Sequence, residues 1–90
     1  MSDRVLLVID DAFELSTMAA ALKLYGTNVI GEAQKKSSAI LLMRSMQPNV
    51  LLIDMHLSDE HSITIANNIR KETPTIGVVV LVACADLRLL

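Results

Sequence analysis

Aromatic residues are nearly missing from this chain: Phe13 and Tyr25 are the only two in 90 residues, and there is no tryptophan. A core here must be built from Leu, Ile, Val, Ala and Met. A single cysteine, Cys84, rules out an intramolecular disulfide and reads as a small buried hydrophobe within an apolar run. Two prolines and three glycines leave no Gly-rich phosphate loop, since Gly26, Gly31 and Gly77 are scattered. Charge of one sign is not concentrated anywhere, and the formal net charge is -2, so no nucleic-acid or membrane surface is indicated. The longest apolar stretch, Ile76–Ala85, is too short to span a bilayer, and Val5–Ile9 is too short for a signal peptide. A reduced, cytoplasmic setting is expected.

What the chain does have is 52% apolar residues against 20% charged ones, a globular composition in one small domain. Val5–Ile9, Asn49–Ile53 and Val78–Ala83 are apolar throughout, as strands buried on both faces of a parallel sheet are. Thr27–Gly31 is a weaker strand candidate. Between them lie helical patterns. Leu15, Met18, Ala19, Leu22 and Tyr25 form one stripe of a first helix, with Gly26 placed to end it. Ser37 and Ser38 are candidate N-caps of a second helix carrying Ile40, Leu41, Met43 and Arg44, with Pro48 after its end. Ile63–Arg70 is a third, although Ile63, Thr64 and Ile65 weaken its propensity. Met18, Met43 and Met46 read as core filling, and Lys35 and Lys36 as a solvated turn. Met55–Ser62 reads as a loop, and Asp86–Leu90 as the opening of another helix. The order βαβαβαβ with short connections predicts an α/β fold with a doubly wound parallel sheet.

Acids end two of the strands: Asp10 and Asp11 the first, Asp54 the third. In open α/β sheets ligands bind beyond the carboxyl ends of strands, where the strand order reverses. In a 2-1-3-4-5 order the first and third strands are neighbours and the three carboxylates would converge. Such a cluster needs a bound cation or a retained proton. Hard oxygen donors select a hard divalent cation such as Mg²⁺. An Asp after a strand is also an ordinary turn or N-cap residue, and that reading competes at each position taken singly. His56 and His61 read as surface-loop residues.

The run from Leu6 to Asp11, the Gly31-Glu32-Ala33 triplet, the stretch from Pro48 to Leu57 and the strand Ile76–Ala83 resemble the response regulator receiver family, in register over essentially the whole chain. The second and third segments are most like receivers of the LuxR/NarL type. The resemblance implies a flavodoxin-like (CheY-like) fold. In that reading Asp54 is the phosphoacceptor for a sensor histidine kinase. Mg²⁺ is held by Asp10, Asp11, Asp54 and the backbone carbonyl of His56. It implies a signalling module and not an enzyme, acting on transcription through a DNA-binding domain outside this chain. It also implies that residues 1–90 form a receiver incomplete at its C-terminal end, truncated after the fourth strand. A bare outer strand would then invite a homodimer or higher assembly through the sheet edge.

The sequence departs from the family pattern at named positions. Val82 stands where the family has a Thr or Ser whose hydroxyl meets the phosphoryl group, and valine has no donor. Ser58 and Ser62 stand where the family has Pro and Gly. The Lys that ends the family's fifth strand has no counterpart within these residues. Val82 and the missing Lys favour an alternative, a phosphorylation-independent pseudo-receiver acting as a protein–protein interaction module, whereas the acid triad favours the phosphoacceptor. A haloacid dehalogenase-like phosphatase would want a second Asp two residues after the first, and Ala12 stands there.

Overall fold

The computed structural model describes residues 3–54 and 61–81. They form β1 (Arg4–Val8), α1 (Ala12–Leu24), β2 (Asn28–Ala33), α2 (Lys36–Met46), β3 (Val50–Asp54), α3 (Ser62–Glu72) and β4 (Gly77–Leu81). The strands are all parallel, in the order β2-β1-β3-β4.

This order follows from alternation and handedness. From β1 the chain steps one way to β2. It then returns past β1 to β3 and on to β4. Right-handed crossovers therefore put α1 on one face of the sheet and α2 and α3 on the other. Two apolar clusters record the division. Leu6, Val8, Leu51 and Ile53 pack with Ala39 and Met43 of α2 and with Ile65, Ala66 and Ile69 of α3. Leu7 and Ile9 pack with Leu15 and Ala19 of α1, with Met18, Leu22 and Leu52 against them. The period-two alternation of a strand thus feeds both layers from one apolar run.

Several expectations are corrected. Tyr25 does not join the buried stripe of α1. It is 89% exposed at the helix C-cap, because Gly26, at φ +84°, turns the chain away after Leu24. Ser37 and Ser38 are not N-caps. They lie inside the first turn of α2, which is capped at Lys35 with no side-chain hydrogen bond, so Lys36 is helical and not part of a turn. Met46 is exposed, unlike Met43. α3 is longer than expected at both ends, since burial of Ile65 and Ile69 outweighs the weak propensity of its β-branched start. β2 runs on to Ala33, which is buried under α2. At Gly31, a β-carbon would stand 3.2 Å from Leu6 Cδ1 and 3.5 Å from Leu42 Cδ1, so the missing side chain lets α2 settle against the sheet. β4 is not buried on both faces. Val78 and Val80 pack on the α2/α3 side, while Val79 is 48% exposed, because α1 lies over β1 and β2. Residues 82–90, with Val82 and Cys84, and the loop residues 55–60, with His56 and Ser58, lie outside the described residues.

The end of the sheet opposite the acids is tied by polar bonds. The Arg4 guanidinium donates to the carbonyls of Met46 and Gln47, at the negative end of α2. Asn49 Oδ1 accepts the Arg4 backbone N–H at 2.6 Å, and the Asn49 carbonyl accepts that of Gly77 at 3.0 Å. On the surface Arg44 pairs with Glu72 at 2.7 Å, joining α2 to α3. That hydrogen bond and its charge hold the Glu72 carboxyl below, and the Arg44 guanidinium above, their ordinary values. Because the Glu72 value is lowered on folding, the pair's contribution is present above the ordinary carboxylate range and fades as pH falls through it.

Leu51 is fully buried and Leu41 is 67% exposed on α2. Leu51→Ala is expected to cost about 2–5 kcal/mol, a large share of a small domain's stability, and Leu41→Ala no more than about 0.5 kcal/mol. Urea unfolding followed by circular dichroism measures both; equal losses would contradict the core placement.

Candidate functional site

The strand order puts the carboxyl ends of β1 and β3 side by side. The paired register runs from Val5↔Val50 to Val8↔Ile53, so the chain segments carrying Asp54 and Asp10 leave the sheet next to each other. Asp54 is the last residue of β3, paired with Leu81, and Asp10 lies two residues beyond the end of β1. This is the reversal point: from β1 the chain goes on to β2 on one side, and from β3 to β4 on the other. Asp10 and Asp54 are half-buried and Asp11 is exposed.

Asp11 also serves the fold. Its backbone is extended, at φ -78° and ψ 124°, and its Oδ1 accepts the Glu14 N–H at 2.9 Å, while its carbonyl accepts the Leu15 N–H. It is the N-cap of α1, so the ordinary reading of an Asp after a strand holds at this position. Its second carboxylate oxygen has no part in that bond.

Gln34, which carried no signal in the sequence, joins the site from the other side of β1. Its Nε2 donates to the Asp10 carbonyl at 2.9 Å, 24 residues away in the chain. One residue earlier the Ile9 N–H donates to the Ala33 carbonyl at 3.0 Å. Only the pairing of β1 with β2 brings these residues together.

Ser62 is the first residue of α3 and is buried. Among the described residues positive φ occurs only at Gly26 and Gln47, so Ser62 occupies no position that calls for glycine. His61 is the exposed N-cap residue of α3 and gives no side-chain cap bond.

Among the described residues no three acidic, histidine or cysteine side chains form a ready-made metal cluster. The residues still fit Mg²⁺ in donor chemistry. It keeps several waters and is commonly held by one or two carboxylates, and the adjoining strand ends bring the segments carrying Asp10 and Asp54 side by side. A cleft of about 610 Å³ lies at the opposite pole, lined by Met43, Arg44, Gln47, Pro48, Glu72 and Thr73, and holds none of the three aspartates. No described helix is long and apolar enough to cross a membrane.

Residues 5–89 match the family described as the response regulator receiver domain. The chain is 35% identical over 78 residues to the probable transcriptional regulatory protein TcrX of Mycobacterium tuberculosis, an overlap of 86% of this chain and 33% of that protein. It therefore spans about a third of the length of that curated relative. Among solved structures it is similar to the response regulator PhyR of Brucella abortus, with a TM-score of 0.80 and 25% identity over 89% of this chain and 33% of the other. It is also similar to the signal receiver domain of the response regulator NarL of Mycobacterium tuberculosis, with a TM-score of 0.74 and 27% identity over 90% and 64% of the two chains.

The cap at Asp11 separates its structural role from its charge. Without divalent cations, Asp11→Ala should cost about 1 kcal/mol, lowering Tm by about 4–8 °C, while Asp11→Asn keeps an accepting oxygen and should lose much less. Thermal melts of the two variants in chelator check the difference.

Proposed function

The chain belongs to the response regulator receiver family, and from that footing we propose that it accepts a phosphoryl group on Asp54 from a sensor histidine kinase. The observation that carries the proposal is the paired end of β1 and β3, which brings the Asp54 and Asp10 segments to the point where the strand order reverses. A carboxylate oxygen of Asp54 attacks the phosphorus of a phosphohistidine. The P–N bond breaks, the imidazole nitrogen leaves and takes up a proton, and an acyl phosphate forms on Asp54. Mg²⁺, held by Asp10, Asp11 and Asp54 with the backbone carbonyl of His56, would neutralise charge on the phosphoryl oxygens. Asp10 and Asp11 orient that neutralising charge, and Asp54 supplies the nucleophile.

The phosphorylated form would relay the signal to transcription, through a DNA-binding domain joined to the receiver, in the cytoplasm. β4 is an edge of the sheet among the described residues, and its Val79 stands exposed. Pairing of two copies along that edge would cover it. Light scattering across a concentration series should then show a dimer, and a monomer at every concentration would remove this part of the reading.

A second reading is favoured by one residue: Val82, at the position of the family's Thr or Ser, carries no hydroxyl to meet a phosphoryl oxygen. In that reading the protein is a phosphorylation-independent interaction module.

Incubation with Mg²⁺ and acetyl phosphate, followed by intact-mass measurement, separates the two. The expected outcome is a hydroxylamine-labile phosphoryl adduct that disappears in Asp54→Asn and in chelator. No adduct on protein shown to be folded would leave the interaction module as the better account.

A further inference from the structure

We infer that Gln34 is a positioning residue for the acid pair, acting on metal binding through the backbone of Asp10; the inference rests on the phosphoacceptor reading above. Between the end of β1 and the start of α1 the chain has only three residues, Ile9, Asp10 and Asp11. Each is held by a different bond. The Ile9 N–H goes to the Ala33 carbonyl at 3.0 Å, which prolongs the pairing with β2. The Asp10 carbonyl takes the Gln34 Nε2–H at 2.9 Å. Asp11 is held by its cap on Glu14, at 2.9 Å. The middle tether is the one made by a side chain from a distant part of the chain, the connection between β2 and α2.

The chemistry of that tether suits a cation site. A neutral carboxamide can donate to the carbonyl without bringing a second positive charge to compete for the carboxylates, as lysine or arginine would. It also adds no negative charge, as glutamate would. Gln34 is exposed, so its bond adds little to global stability. Its effect falls instead on the freedom of the two residues it adjoins. Groups that hydrogen-bond the residues ligating a metal commonly change its affinity by about 10-fold or more when removed.

The test is Gln34→Met, which keeps the length of the side chain and removes its donor. Mg²⁺ binding is measured by calorimetry and by amide NMR shifts at Asp10 and Asp11, beside wild type and Asp54→Asn. The expected result is Mg²⁺ affinity weaker by about 10-fold, altered amide shifts at Asp10 and Asp11 before metal is added, and Tm within about 3 °C of wild type. Unchanged affinity in Gln34→Met would overturn the inference. So would a loss of affinity accompanied by a large fall in Tm, since that marks a structural role. Wild type that takes up no Mg²⁺, or Asp54→Asn that binds it as well as wild type, would remove the site reading itself and the inference with it.

Discussion

A right-handed crossover leaves its helix on one side of a parallel sheet when the chain steps one way and on the opposite side when it steps back. Here the step from β1 to β2 and the return to β3 go in opposite directions, and most of the structure depends on that reversal. It splits the helices between the two faces. It makes β1 an interior strand, buried from Val5 to Val8. It also sets the ends of β1 and β3 side by side, at the point where the strand order reverses. Asp10 follows the first of these ends and Asp54 closes the second.

The same reversal explains why the two poles of the sheet differ. At the amino end of the strands, Arg4 and Asn49 close the structure with bonds to the end of α2 and to β4. At the carboxyl end the chain carries half-buried acids and a helix capped by one of them. Charge of one sign gathered in a crevice costs stability unless a cation or a proton offsets it.

Asp11 shows how one residue joins fold and site. One carboxylate oxygen caps the start of α1, and the extended backbone at Asp11 carries the chain out of the sheet directly after Asp10. Gln34, just past the end of β2, holds Asp10 from the far side of β1. The acid pair is therefore positioned by a helix cap and by a neighbouring strand, and both are local consequences of how β1 sits between β2 and β3.

The sequence by itself determined the element order and the parallel sheet, because three apolar runs separated by helical periods have few other solutions. It determined that acids follow the first and third strands, and that Gly26 ends the first helix, since a left-handed turn there favours glycine. Helix ends were less legible: Ser37 and Ser38 are good caps by chemistry, yet packing of Ala39 and Met43 starts α2 earlier. The periodicity of α1 could not show that Tyr25 falls beyond the last turn. Only the tertiary structure decided which strands neighbour one another, and so that the Asp10 and Asp54 segments adjoin. It alone linked Gln34 to Asp10 and left Val79 exposed. These depend on contacts between residues far apart in the chain, which composition and spacing do not encode.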